Sequence, residues 1–210
     1  MDLFAHLESS ERLRVYGVAI AIVLDNKDPQ GMGRVKVRLP GLLDDDSGLW
    51  ARIATLMAGK DRGTFFLPET DDEVLVAFEH GDVSRPYILG ALWNGKDTPP
   101  DTNADGKNNL RFIKSRSGHL IRLDDSDGKE KIEIIDKSGN NSITIDTANK
   151  TITITSAQDI TLDASQGKIK LSAQNIELSS TADTKIQAQG QMTLSASATT
   201  TIKGSTVNIN

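Results

Sequence analysis

Residues 151–210 read TITITSAQDITLDASQGKIKLSAQNIELSSTADTKIQAQGQMTLSASATTTIKGSTVNIN, and this stretch decides the fold of the chain. An apolar pair at positions i and i+2 returns here about every eight residues, and Thr replaces the first member in two of the pairs. Because side chains alternate along an extended chain, each pair lies on one face of a short strand. The apolar members are Ile152, Ile154, Ile160, Leu162, Ile169, Leu171, Ile176, Leu178, Ile186, Met192, Leu194, Ile202, Val207 and Ile209.

A repeat of this length cannot be stable alone. Burying two medium side chains contributes ~1.5–3 kcal/mol each, whereas ordering each residue of the repeat costs ~1–2 kcal/mol. Eight residues are also too few to enclose a core on three sides, but three chains could each supply one side per level. The repeat therefore predicts a homotrimeric, intertwined triple-stranded β-helix, or β-prism, with the apolar pairs as its trimer core.

The composition divides the chain into a globular front and a fibrous back. Every aromatic residue lies at or before Phe112, and every proline lies at or before Pro100. We predict an all-β chain with four segments. They are an N-terminal arm at 1–12, an OB-fold barrel at 13–94, a linker or neck at 95–113, and a trimeric β-helix spike at 114–210 with octet repeats from 151.

Five strand-like runs separated by turn residues occupy the front segment. The runs are Val15–Leu24, Gly33–Leu39, Leu49–Met57, Glu73–Phe78 and Pro86–Trp93. Five short strands in a segment of this size are typical of an OB-type barrel. The first run is about half as long as a bilayer span, and acidic residues precede it. A buried strand is therefore predicted there, with no signal peptide and with assembly in the cytoplasm.

The front segment resembles the OB-fold domain of the contractile-tail spike family, which includes phage baseplate assembly protein V and the VgrG proteins of type VI secretion. Five stretches carry the resemblance in the family's order. They are Asn26–Gly41, Trp50–Ile53, Gly63–Glu69, the pair of runs Glu73–Phe78 and Gly81–Gly90, and Ser115–Asp125. The resemblance implies a structural spike mounted on a baseplate hub ring, a trimeric rod and transient contact with a target membrane.

The chain also departs from the family's pattern. We expect neither a large hub domain ahead of the barrel nor a lysozyme domain between the barrel and the rod. Some short relatives close the rod with a His-x-His iron site, whereas the last histidine here is His119. No iron is predicted at the apex, and a separate PAAR-type tip protein is the partner that the resemblance implies there.

Other chemistry has little support in the sequence. The chain has no cysteine, and His6, His80 and His119 have no metal-ligand spacing, so no metal or cofactor is predicted. Asp124–Gly128 resembles the start of a calcium loop but lacks the later Glu, which favours a solvated turn. Arg34, Arg38, Arg52 and Arg62 could bind an anion or an oligosaccharide on a barrel face, although partner docking or solvation is favoured. The sequence has no basic stripe of the kind that binds nucleic acid, so no nucleic-acid partner is predicted.

Two hypotheses for the function follow. In the first, the chain is a non-enzymatic central spike, a membrane-puncturing needle that sheath contraction drives through the target envelope. In the alternative, it is a trimeric tail-fibre module that binds or degrades a receptor polysaccharide. The alternative requires an exposed groove with aromatic residues or paired carboxylates, and the octet repeats contain no aromatic residue.

Overall fold

The computed structural model describes residues 14–43 and 47–208, so the predicted arm lies outside the described residues. The chain divides into two compact units, Met1–Ala157 and Gln158–Asn210. In the described part, the regular elements are twelve β-strands and one single-turn 3₁₀ helix, Glu79–Gly81. The predicted all-β class is therefore confirmed.

Five strands close a barrel in the first unit. They are β1 (Val18–Asp25), β2 (Val35–Arg38), β3 (Leu49–Ile53), β6 (Glu73–Phe78) and β7 (Pro86–Leu92), paired in the order β1-β2-β3-β7-β6 and closed back onto β1. The β3–β7 pairing is parallel and the others are antiparallel. Four of the five predicted runs contain one of these strands, β1 extends one residue past the first run, and the predicted OB-type barrel is confirmed.

The barrel core consists of small and β-branched residues, because alternate positions of each strand point inward. Its largest fully buried side chains are Val23, Val35, Val37, Leu39, Val74, Val76 and Ile88. Residues 58–63 follow β3 and consist largely of turn residues, which predict a break between strands. In the structure they form a hairpin. Its strands are β4 (Ala58–Gly59) and β5 (Arg62–Gly63).

A carboxylate organises the loop between β1 and β2. Asp28 accepts hydrogen bonds from the backbone N–H groups of Gln30, Met32 and Arg34 at 3.0, 3.0 and 3.2 Å. It also accepts two from the guanidinium of Arg34, at 3.1 and 2.8 Å. Gly31 and Gly33 have φ of 65° and 69°, which allows the loop to curl around the carboxylate. The Asp28–Arg34 pair thus fixes the conformation of this loop.

The other five strands form a second sheet in the same unit. They are β8 (Leu110–Lys114), β9 (Leu120–Asp124), β10 (Lys131–Ile135), β11 (Ser142–Asp146) and β12 (Thr151–Thr155), each antiparallel to the next. The sequence placed a linker at 95–113, and β8 begins within that range. The pairs Ile121/Leu123, Ile132/Ile134 and Ile143/Ile145 recur at steps of eleven residues, a spacing that from the sequence alone predicts wide turns where the rod begins. In the structure, each such step is one strand and one turn of an antiparallel meander.

Candidate functional site

The register of the second sheet places aliphatic side chains on one face. Ile121 pairs with Ile134, which pairs with Ile143, and Ile143 pairs with Ile154. Residues in register on adjacent strands point to the same side of a sheet, so these positions form a row. The complete set is Ile113, Ile121, Leu123, Ile132, Ile134, Ile143, Ile145, Ile152 and Ile154. We call this set the aliphatic face.

The aliphatic face is uncovered in the single chain. Its side chains are between 40% and 72% exposed. An antiparallel sheet of a soluble protein normally covers its apolar side and leaves its polar side to water. A contiguous apolar surface of this kind marks an interaction site.

The opposite face of the sheet carries both charged and apolar side chains and is better shielded. Glu133 is nearly buried there and accepts a hydrogen bond from Arg122 Nε at 2.7 Å. The Lys131 ammonium lies 3.1 Å from the second carboxylate oxygen of Glu133. The carboxylate is thus paired on both oxygens, as a nearly buried charge requires.

Aspartates fix the turns between the strands. The Ser138 hydroxyl and the N–H and side-chain amide of Asn141 donate to Asp136, and these hydrogen bonds lower the pKa of Asp136 to about 2. The N–H and amide of Asn149 likewise lower the pKa of Asp146. Such side-chain-to-backbone bonds stabilise tight turns and set hairpin register. They therefore fix which residues reach the aliphatic face.

The predicted trimer-core residues fall into two groups. Ile152 and Ile154 lie on β12 and belong to the aliphatic face. The members from Ile160 to Val207 lie in the second unit, where no strand is assigned between 158 and 208 and every described residue is exposed. Their own exposed fractions run from 46% to 76%, and Ile209 lies outside the described residues.

Sequence reasoning missed a second apolar surface, which surrounds the β4–β5 hairpin. Leu56 and Met57 precede the hairpin, and Phe65 and Phe66 follow it. Leu56 is 96% exposed and the two phenylalanines are also well exposed. The run of turn residues at 58–63 concealed this surface, because such a run indicates a loop and gives no information about the side chains around it.

Two of the four arginines considered as anion ligands, Arg34 and Arg52, have other contacts. Arg34 is paired with Asp28 and lies 5.6 Å from the centre of the Trp50 ring. Arg52 lies 5.5 Å from the ring of Tyr87. Asp124, the first residue of the calcium-like segment, accepts the N–H of Ser126 at 2.9 Å, and its pKa is lowered by the hydroxyl and N–H of that serine. Asp124 therefore stabilises a turn, which is the structure that the sequence favoured over a calcium loop.

Comparison with known families identifies the barrel. The model of the type VI secretion system/phage-baseplate injector OB domain matches residues 19–93, which run from the start of β1 to just past β7. The closed barrel and this match together define an injector OB domain.

Curated spike proteins match a longer part of the chain. The type VI secretion system spike protein VgrG1a of Pseudomonas aeruginosa is 32% identical over 114 residues, which are 49% of this chain and 18% of the relative. VgrG1c of the same organism is 30% identical over 147 residues, or 62% of this chain and 20% of the relative. VgrG3 of Vibrio cholerae is 33% identical over 105 residues, which are 45% of this chain and 10% of the relative.

These matches confirm the resemblance to the contractile-tail spike family. The chain is VgrG-like, with an OB domain of the injector type. The aligned part spans a fifth or less of the length of these relatives. In the described ranges, no helix is both long enough and apolar enough to cross a bilayer.

Proposed function

We propose that this chain is part of a homotrimeric central spike of a contractile tail or type VI injection machine. The observation that carries the proposal is the uncovered aliphatic face. Nine aliphatic side chains on five paired strands need a partner surface, and an identical sheet from another copy offers one of matching chemistry.

Three copies suit this face better than two. The octet repeats supply one apolar side per level, so three chains close a prism around their pairs. In the proposed trimer, the aliphatic face packs against its symmetry mates about the axis, and the pairs from Ile160 to Ile209 continue the core as an intertwined triple-stranded β-helix. The exposed second unit supports this arrangement, because a chain with this many uncovered aliphatic residues has no core of its own.

The role of such a spike is mechanical. A rod whose backbone hydrogen bonds pass through three chains has few open edges and is stiff along its axis. We propose that the barrel trimer mounts on a hub ring of the baseplate and that sheath contraction drives the rod through the target membrane. The surface around the β4–β5 hairpin is our proposed contact for that ring, because it combines large exposed apolar side chains with a position on the barrel.

The remaining partners follow from the resemblance. A PAAR-type tip protein would bind the far end of the rod, and the trimer would assemble in the cytoplasm before entering the particle. No catalytic residue is assigned, and the chain is proposed to act without enzymatic chemistry. The polysaccharide-degrading alternative has no observation on the repeats that favours it.

Sedimentation equilibrium of the purified chain tests the proposal. The expected mass is three times the 22.7 kDa of one chain, with no dependence on loading concentration at micromolar levels. Negative-stain images should show tapering needles. A well-ordered monomer at every concentration would overturn the proposal, because the aliphatic face would then be stable in water.

A further inference from the structure

A cleft of about 810 Å³ lies beside the first two strands of the second sheet. Its lining combines two aromatic rings with amide, carboxylate and ammonium groups. The lining includes Trp93, Asn108, Asn109, Phe112, Lys114 and Asp124. This volume is typical of a small-ligand site, and eight of the thirteen lining residues are polar or charged. None of the proposed trimer-core positions lines the cleft.

The aromatic part of the cleft is accessible. Trp93 follows β7 directly and is 69% exposed, while Phe112 lies on β8 and is partly buried. Within the described ranges, the indole N–H of Trp93 donates no hydrogen bond. Flat rings of this kind attract C–H groups through their electron-rich faces, and a tryptophan N–H at a binding surface can also bind a polar group.

The polar part of the cleft has unused hydrogen-bonding capacity. In the portion of the chain that is described, the side-chain amides of Asn108 and Asn109 and the ammonium of Lys114 form no hydrogen bond or ion pair. A carboxamide both donates and accepts, so it can bind a hydroxyl group in either role. These side chains are therefore suited to a ligand that carries many hydroxyl groups.

The loop that carries these groups is held in shape by its own hydrogen bonds. The Asn103 side chain accepts the N–H of Asn108 at 2.7 Å, and Asp101 accepts the N–H of Asn103 at 2.7 Å. Asn103 and Asn108 have φ of 48° and 52°, a conformation that asparagine tolerates better than most residues. A loop shaped before binding loses less conformational entropy when a ligand arrives.

We propose that this cleft binds a neutral oligosaccharide, with the C–H face of a pyranose ring against Trp93 and with ring hydroxyls hydrogen-bonded to Asn108, Asn109 and Asp124. The charges of the cleft select against anionic sugars, since three carboxylates face one ammonium group. Hydrogen bonds from Ser126 lower the pKa of Asp124, so this carboxylate accepts hydrogen bonds from ring hydroxyls at neutral pH.

This function is additional to the proposed spike and does not depend on it. The octet repeats contain no aromatic residue that could serve as a platform for a sugar. The structure instead places two aromatic side chains on one cleft next to the barrel.

Titration of the full chain with chitotriose and cellotriose, followed by tryptophan fluorescence and calorimetry, tests the proposal. We expect saturable binding of at least one of these sugars, and weaker or no binding of trigalacturonic acid, which is anionic. Trp93→Ala should weaken binding about tenfold or more, because it removes the stacking surface. The matched control is Tyr16→Ala, which removes an exposed aromatic side chain outside the cleft and should leave the affinity unchanged.

Three outcomes would overturn the proposal. They are the absence of binding by either neutral sugar, preference for trigalacturonic acid, and equal affinities of Trp93→Ala and the wild-type chain. Sedimentation equilibrium of Trp93→Ala tests whether the cleft is instead a contact between two copies of the chain. Loss of the oligomer in this variant alone would show that a second copy occupies the cleft, and the sugar site would be rejected while the spike proposal stood.

Discussion

The carboxylate of Asp28 and the guanidinium of Arg34 form a two-point ion pair, with contacts of 2.8 and 3.1 Å, in the loop between β1 and β2. The same carboxylate accepts three backbone N–H groups. These donors, the guanidinium first, hold the pKa of Asp28 well below its usual range. One side chain thus fixes both the loop and the position of Arg34 over Trp50.

Replacing this carboxylate should loosen the loop. In Asp28→Asn, one oxygen acceptor becomes an amide donor that faces the N–H groups and the guanidinium, and the charge of Arg34 is left without a partner. We expect a lower thermal midpoint for the barrel, measured by circular dichroism. Asp127→Asn makes the same chemical change at an exposed position and should leave the midpoint unchanged. Equal midpoints for the two variants would contradict the assigned role.

Acid should destabilise the first unit in a defined range of pH. The pKa values of Asp28 and Asp136 are lowered in the folded chain, that of Asp136 to about 2, so the unfolded chain binds more protons in acid. Their contribution is complete above the unfolded pKa, ~3.9, and is lost as the pH falls through the folded pKa. Urea midpoints should therefore be level between about pH 5 and 7 and should fall below about pH 4. In Asp136→Asn the fall should be shallower, and an identical fall would contradict this account.

A charge within the repeats should prevent trimer formation. Leu162→Asp would bring three carboxylates together in a dry axis, where the burial of unpaired charge is very unfavourable. We expect loss of the trimer in sedimentation equilibrium, and the same for Leu171→Asp. Thr161→Asp adds the same charge at the neighbouring position, which points away from the axis, and should remain trimeric. A Leu162→Asp chain that still forms trimers would refute the placement of the pairs.

Truncation on the aliphatic face should also distinguish a trimer from a monomer. Ile134 is 50% exposed in the single chain, so Ile134→Ala would have a small effect if that face stayed in water. If the face is buried between copies, the substitution should cost ~2–5 kcal/mol per chain, as other buried Ile→Ala changes do. Concentration-dependent thermal unfolding measures the difference. Thr153→Ala, at an exposed position on the other side of the sheet, is the control and should change little.

Period-two alternation and turn residues were sufficient to predict the barrel strands. The run Arg34–Leu39 alternates charged and apolar residues, and β2 lies within it with Val35 and Val37 buried. The hairpin at 58–63 was missed because two-residue strands are too short to show a period. The eleven-residue spacing was misinterpreted because an antiparallel meander and a wide helical coil produce the same pattern of pairs. Only backbone pairing distinguishes the two.

The candidate surfaces were predicted unevenly. The apolar pairs of the second sheet were visible as Ile121, Ile132 and Ile143 with their partners at i+2. The cleft of Trp93 and Phe112 could not be predicted from the sequence, because these residues are nineteen positions apart. Only the register of β8 with β9 brings the groups around Phe112 and Asp124 together. The Asp28–Arg34 pair could not be predicted from the sequence for a simpler reason. Spacing alone does not show whether an arginine faces solvent or a carboxylate six positions earlier.

The meander of the second sheet also has a kinetic consequence. Each of its strands bonds only to its immediate neighbours along the chain, so closing it needs short loops and little lost entropy. In the proposed trimer, the octet repeats can fold only when two other copies of the chain are present. Assembly should therefore begin at the meander, which would align three nascent chains in register before the repeats zip toward the C-terminus.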